Sequence, residues 1–243
     1  MPHSITLESE SEIAMKKVEP VYCMVVSPHP DDAEFGVAGS VAKWVHEGKP
    51  VVYVLCTSGD KGTSDPNLKP AELAKIREKE QLAAAKVLGV QEVIFLRQPD
   101  QGIEDTPEFR KELVKLIRLY RPEVVASSDP YRKYVWHRDH RITGQVVLDA
   151  VFPYARDVHS YPDLYEQGYE PHKVKELLFW GSPDINHRID ISETIEQKIA
   201  ALMCHKSQFN ITEMEKRIRE RYRAAADAGN QYFESFHRVD IGR

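Results

Sequence analysis

The chain has 243 residues, of which 42% are hydrophobic and 29% charged, and its formal net charge is −5. This length fits one domain with an extension, and the composition is that of a soluble globular protein. The modest negative charge argues against nucleic acid or an anionic membrane surface as a partner. The 3 scattered cysteines favour buried free thiols over a disulfide framework. Without a membrane-length apolar stretch or the order of a signal peptide, the cytoplasm is the expected location.

Apolar runs alternate with helical periodicities along the first half of the chain. After an N-terminal arm at 1–20, buried strands are predicted at 21–27, 51–57, 92–96 and 124–127. Helices are predicted between them at 35–47, 70–88 and 106–120, because apolar residues recur there at helical spacing. This alternation predicts a mostly parallel α/β sheet with right-handed connections and helices on both faces.

The second half of the chain is less regular. A helix is predicted at 141–151 and two late strands at 174–180 and 188–191, followed by helices at 192–205 and 212–227. The proline-containing segment 152–172 is interpreted as an insertion over the functional site. We therefore expect a single α/β domain at 21–205, with a C-terminal helix and tail at 206–243 packed on the same domain.

The first predicted strand ends in a turn that carries His29, Asp31 and Asp32. Such a turn lies at the carboxyl edge of an α/β sheet, where ligands usually bind. His137 and His140 follow the fourth strand and belong at the same edge. Histidine nitrogen and carboxylate oxygen form a common donor set for Zn²⁺, and catalytic zinc sites keep three protein ligands. The two motifs therefore predict one shared metal site, with Asp31 free to take a proton from a water that the metal acidifies.

Several other interpretations stay open at this point. Asp32 taken alone fits the N-cap of a helix that starts at the next residue, and the two histidines fit a solvated loop. A nucleotide-dependent oxidoreductase is disfavoured, because Gly36 and Gly39 come too late to cradle a pyrophosphate. A metal-dependent phosphoesterase, another amidase or a non-catalytic metal-binding protein remain as alternatives.

The motifs together resemble the LmbE-like, or PIG-L-type, N-acetylglucosaminyl deacetylases. The Pro-His-Pro-Asp-Asp turn and the His-x-x-His motif at 137–140 carry this resemblance, and the stretches 76–80, 205–208 and 233–236 support it. The resemblance implies a Rossmann-like fold and removal of an acetyl group from a small amino-sugar substrate. It implies Zn²⁺ as the cofactor, with Fe²⁺, Mn²⁺ or Co²⁺ as alternatives, and a homo-oligomer, either a trimer or a hexamer.

The same resemblance implies roles for five residues of the two motifs. His29, Asp32 and His140 would bind the metal. Asp31 would be the general base. His137 would stabilise the oxyanion or act as a general acid.

Further candidate residues lie outside those ligands. The resemblance implies that Arg77 orients the general base or holds substrate, and that Asp100 faces substrate hydroxyls. Trp136 is a candidate for stacking on a pyranose ring, and Asp139 is a candidate for orienting one of the histidines that flank it. The family often has an acidic residue directly after the aspartate pair. Here alanine stands there and Glu34 follows, so the role of Glu34 stays open.

Overall fold

A computed structural model of the protein describes residues 18–134, 136–209, 211–223 and 231–242, with 211–213 described by their backbone alone. The strands are β1 Cys23–Ser27, β2 Val51–Leu55, β3 Glu92–Phe95, β4 Val124–Ser128, β5 Glu176–Trp180, β6 His187–Asp190 and β7 Phe233–Asp240. The α-helices are α1 Asp32–His46, α2 Pro70–Leu88, α3 Pro107–Tyr120, α4 Arg138–Asp149, α5 Pro162–Glu166, α6 Ile195–Leu202 and α7 Ile211–Tyr222. No helix among the described residues is long and apolar enough to cross a membrane.

The sheet has the strand order β3-β2-β1-β4-β5-β7-β6. β4 is the central strand and pairs in parallel with β1 and β5, and β1 pairs in parallel with β2. β7 runs antiparallel between β5 and β6. The predicted mostly parallel α/β sheet is therefore confirmed. Because β1, β2 and β4 are buried along their whole length, they appear in the sequence as apolar runs, with serines only at the ends of β1 and β4.

Helices cover both faces of the sheet, as predicted. Met24 and Val26 of β1 pack with side chains from α3 and α4. Cys23 and Val25 alternate with them and pack with side chains from α1 and α2. This alternation is the two-residue period of a strand buried on both sides.

The C-terminal segment is more than a helix and tail packed on the domain. β7 lies inside the sheet, so residues 233–240 complete the same core. The sequence did not predict this strand, because charged and polar residues interrupt its apolar positions. The predicted helix at 212–227 is present over Ile211–Tyr222. Residues 224–230 lie outside the described residues, as do residues 1–17 of the predicted arm.

The segment 152–172 packs on α3 and does not cover the functional site. Arg118 of α3 is buried and donates hydrogen bonds to the carbonyls of Tyr154, Ala155, Asp157 and Ser160. None of the described residues that line the pocket beside the site belongs to this segment. The expectation of an insertion over the site is therefore wrong. The segment lies on α3 because four of its backbone carbonyls accept hydrogen bonds from this one buried arginine.

A buried ion pair joins the C-terminal third of the chain to α1. Lys198 of α6 lies 2.5 Å from Glu234 of β7, and both side chains are fully buried. Glu234 also accepts the backbone N–H groups of Gly39 and Ser40, and Lys198 donates to the carbonyl of Phe35. A buried charge is tolerated when its partner and hydrogen bonds are all present.

We expect Lys198→Met to lower the free energy of unfolding by about 3–5 kcal/mol, because it leaves the Glu234 carboxylate buried without its cation. Denaturant titration of the purified variant measures this loss. The control is Lys216→Met, whose ammonium is exposed and should change stability by less than about 0.5 kcal/mol. A loss below about 1 kcal/mol for Lys198→Met would show that the pair does not stabilise the fold.

Candidate metal centre

The turn between β1 and α1 separates two adjacent carboxylates. Asp31 has a left-handed backbone, with φ of 92° and ψ of −29°, which is uncommon for a residue other than glycine. Its carboxylate lies 3.2 Å from Nη2 of Arg77. The Asp32 carboxylate lies instead 3.0 Å from Nδ1 of His29. The two aspartates therefore face different partners although they are neighbours in sequence.

Asp32 joins the two sequence motifs. Its Oδ2 atom is 3.0 Å from Nδ1 of His29 and 3.0 Å from Nε2 of His140. Ring nitrogens of His29, His137 and His140 also lie within 4.8 Å of one another, an arrangement that could hold a metal ion. Asp32 is the first residue of α1, and the N-cap position belongs to Asp31, whose side chain makes no capping hydrogen bond. Helix capping therefore does not account for Asp32.

The second nitrogen of His29 faces two further carboxylates. Nε2 of His29 lies 3.2 Å from Oδ1 of Asp100 and 3.2 Å from Oδ2 of Asp139. A carboxylate on the far side of a histidine fixes the ring and its tautomer, as is common around metal ligands. Together with His29, these two carboxylates form a second group of side chains that could hold a metal ion. Because it shares His29, this group extends the first cluster.

The structure places Asp139 and Asp100 differently from the sequence expectation. The Asp139 carboxylate contacts His29, whereas the expected partners were the flanking histidines. The hydrogen bond from Asp139 to His137 comes from the backbone, whose N–H donates to Nδ1 of His137 at 3.2 Å. Asp100 is only 5% exposed and accepts the backbone N–H of Lys61 at 2.8 Å, so its carboxylate is largely engaged within the protein.

The carboxylates of the cluster call for positive charge beside them, which a protonated imidazole or a bound cation supplies. Burial lowers the pKa of His29, but hydrogen bonds to Asp100, Asp139 and Asp32 outweigh this effect and raise it to about 11. Burial raises the pKa of Asp100, yet its contacts with His29 and Lys61 bring it down to about 2. Three carboxylates around one imidazole thus require positive charge among them. Imidazole and carboxylate together fit Zn²⁺ and related divalent ions.

Asp31 is suited to accept a proton near neutral pH. Burial and the neighbouring Asp32 charge raise its pKa to about 7, against the opposing effect of Arg77. Arg77 is 4% exposed and donates also to the carbonyls of Pro30 at 2.6 Å and Gly59 at 2.9 Å. Of the two roles the sequence allowed for Arg77, this burial favours orientation of Asp31 over substrate contact.

A pocket of about 650 Å³ opens beside Asp32 and His140. Trp136 lies in its wall, with its ring 4.5 Å from that of His140 and its indole N–H donated to the Asp129 carbonyl. The guanidinium of Arg132 stacks over the same ring at 4.3 Å. A half-buried, fixed aromatic ring next to the cluster fits the predicted contact with a sugar face.

Sequence reasoning missed much of the pocket wall. Trp180 and Phe35 line it, as does Tyr222 of α7. Trp180 packs closely on α1 because residue 36 is glycine, where a Cβ atom would collide with the indole. Trp180 ends a strand at the carboxyl edge of the sheet, and that position was the available signal. An apolar residue in a strand is more typical of the core, so this position of Trp180 did not stand out in the sequence.

Fold and site together define an α/β protein with a histidine and carboxylate cluster at the carboxyl edge of its parallel strands. The protein-family model described as PIG-L, GlcNAc-PI de-N-acetylase, matches residues 24–151, which include both motifs. The chain belongs to this family, and the resemblance predicted from the motifs is confirmed.

Individual relatives agree with this assignment. The chain is 36% identical over 192 residues to a diacetylchitobiose deacetylase of Thermococcus kodakarensis, covering 79% of this chain and 71% of the relative. It is 29% identical over 202 residues to a "Probable N-acetyl-alpha-D-glucosaminyl L-malate deacetylase 2" of Bacillus anthracis, covering 80% and 85%. The solved structure of N,N'-diacetylchitobiose deacetylase from Pyrococcus horikoshii superposes with a TM-score of 0.84 at 29% identity, covering 96% of this chain and 88% of that one.

We expect Asp139→Asn to destabilise the protein by about 1–3 kcal/mol even with a chelator present. One carboxylate oxygen of Asp139 accepts the N–H of Gln101 and the other accepts that of Ile103, so an amide NH₂ must oppose one of these donors. Denaturant titration in chelator measures the loss. Asp105→Asn is the control, since it removes only a partly exposed pair with Arg110 and should cost less than about 1 kcal/mol. Equal losses for both variants would contradict the assigned contacts.

Proposed function

We propose that the protein is a metal-dependent deacetylase that hydrolyses the acetamide of an N-acetylglucosaminyl-type sugar or glycoside and releases acetate. The observation that carries the proposal is the Asp32 carboxylate oxygen held 3.0 Å from one imidazole of each motif, with Asp31 directly beside it. The names of the two relatives supply the substrate class, because both describe removal of an acetyl group from an N-acetylglucosaminyl compound.

We assign the metal to His29, Asp32 and His140, with Zn²⁺ as first choice and Fe²⁺, Mn²⁺ or Co²⁺ as alternatives. When bound, such an ion acts as a Lewis acid that polarises the acetamide carbonyl and acidifies a water. The three-ligand set leaves coordination positions for water and substrate, as in catalytic zinc sites. The two carboxylates behind His29 support this assignment, because they hold its ring with one nitrogen turned to Asp32.

Proton transfer is assigned to Asp31. Its carboxylate takes the proton of the attacking water and returns it to the leaving amine, so that the products are a free amine and acetate. Arg77 keeps this carboxylate in place, because its guanidinium contacts Asp31 and is itself fixed by two backbone carbonyls. A pKa near 7 lets one carboxyl serve as base and then as acid.

His137 is assigned to the developing oxyanion. Its Nδ1 atom accepts the backbone N–H of Asp139, so the neutral ring carries its proton on Nε2. Burial and the nearby His29 lower the pKa of His137, which favours this neutral form. A neutral imidazole N–H donates a hydrogen bond to an oxyanion and can be worth about 3 kcal/mol in the transition state.

Substrate contact is assigned to the pocket wall at Trp136. Its indole ring offers a flat face for a pyranose ring beside the cluster. Asp100, buried against His29, is the weaker candidate for a hydroxyl contact. The cytoplasmic location and the trimeric or hexameric assembly remain predictions from the sequence.

We expect the protein to bind a divalent ion and to release acetate from N-acetylglucosamine or N,N'-diacetylchitobiose. His140→Ala should lose both properties, because it removes one of three ligands. Asp31→Asn should keep the metal and lose about 10²–10⁴-fold in kcat. Metal analysis and an acetate assay measure both, with Asp105→Asn as a carboxylate control outside the site. Acetate release that is unchanged after complete metal removal would overturn the assignment.

We expect Trp136→Ala to raise KM by about tenfold, since stacking on an aromatic ring contributes roughly 1–1.5 kcal/mol. Trp136→Phe is the matched control, because it keeps an aromatic face while losing the same indole hydrogen bond to Asp129. Steady-state kinetics of acetate release compares them. If KM rises equally in both variants, the cause is the lost hydrogen bond to Asp129 and the stacking contact is contradicted.

A further inference from the structure

Three buried polar side chains behind the cluster have no part in the reaction described above. Gln81 lies on α2, Glu34 lies on α1, and His205 follows α6, and all three are fully buried. The carbonyl oxygen of Gln81 accepts the backbone N–H of Asp31 at 3.2 Å. Its amide nitrogen donates to Oε1 of Glu34 at 2.8 Å, and Oε2 of Glu34 lies 3.2 Å from Nε2 of His205. These contacts link the backbone of Asp31 to three separate segments.

The order of donors in this chain of contacts is set by Glu34. The Gln81 NH₂ group donates to one carboxylate oxygen of Glu34, and Nε2 of His205 lies against the other. The Gln81 carbonyl oxygen is then left to face Asp31, where it meets an N–H donor. Glu34 thereby fixes the amide orientation that Asp31 needs.

Asp31 needs such an anchor because of its backbone. A left-handed conformation at a non-glycine residue costs of order 1–3 kcal/mol and persists only when surrounding contacts enforce it. The Arg77 guanidinium holds the Pro30 carbonyl before this residue, and Gln81 holds the N–H of the residue itself. Without the amide contact the N–H of Asp31 loses its anchor, so the backbone can relax toward ordinary angles and the carboxylate, still held by Arg77, shifts from its position beside the cluster.

We propose that Gln81, Glu34 and His205 form a positioning network that fixes the backbone of Asp31 and so aims its carboxylate at the reacting water. The inference rests on the proposed function, in which Asp31 transfers the proton. It gives a role to Glu34, which the motifs left open, and to Gln81 and His205, for which the sequence analysis named none. None of the three touches the substrate in this proposal, and each acts through Asp31.

The test compares two substitutions that treat the network differently. Gln81→Met removes the acceptor for the Asp31 N–H at nearly constant volume. The reversed pair Gln81→Glu/Glu34→Gln keeps an acceptor oxygen for Asp31 and restores a carboxylate-to-amide contact with the two groups exchanged. We expect Gln81→Met to lower kcat by about 10²-fold, the effect of a misplacement near 1 Å, with metal content unchanged and KM within about threefold. The reversed pair should recover kcat to within about tenfold of the wild type.

Glu234→Gln is the control for a merely structural effect. Glu234 belongs to a separate buried ion pair with Lys198, binds the middle of α1 and does not contact Asp31. We expect the substitution to reduce stability while kcat per folded molecule stays unchanged. If Gln81→Met does not fold, Gln81→Asn serves in its place, because the shorter side chain cannot span Asp31 and Glu34.

Two outcomes would overturn the network. One is a kcat of the Gln81 variant equal to that of the wild type, and the other is a reversed pair as slow as the single variant. Both are measured against a wild type that releases acetate. A wild type that binds metal and releases none contradicts the proposed function itself, so the two failures are distinguishable.

Discussion

The contact on which the rest of the site depends is the Asp32 carboxylate oxygen between imidazoles of His29 and His140. The two motifs are about a hundred residues apart in sequence and meet because β1 and β4 are adjacent parallel strands. Their register pairs Val26 with Ser127, so both strands end at the same edge and the turns that follow them converge. Parallel strands cannot be joined by a short hairpin, and the intervening α1, β2, α2, β3 and α3 form the connection.

Two adjacent aspartates acquire separate chemistry from one backbone angle. The left-handed conformation of Asp31 turns its carboxylate toward Arg77, while Asp32 continues into α1 and faces the histidines. Burial raises the pKa of both carboxyls, and their different partners then move the two values apart. Asp32, between two histidines, has its pKa lowered, whereas that of Asp31 is raised to about 7. A strained residue in a buried polar setting is typical of functional sites, where surrounding contacts sustain the strain.

The C-terminal third of the chain supports α1 from behind. Glu234 of β7 contacts the middle of that helix, and Lys198 and His205 contact its first turn. The position of the metal-type cluster therefore depends on residues far beyond the matched family segment at 24–151. This arrangement makes the late strands and helices parts of one domain with the first half.

The sequence by itself determined the parallel α/β core, the turn with His29, Asp31 and Asp32, and its pairing with the His-x-x-His motif. These are local features, because buried strands, helical spacing and a motif after a strand are visible in short windows. Only the tertiary structure decided which polar atoms meet. It placed Asp139 and Asp100 against His29, joined Glu34 to His205, and inserted β7 into the sheet. Burial of a charged side chain depends on partners distant in sequence, and no local pattern of residues encodes those partners.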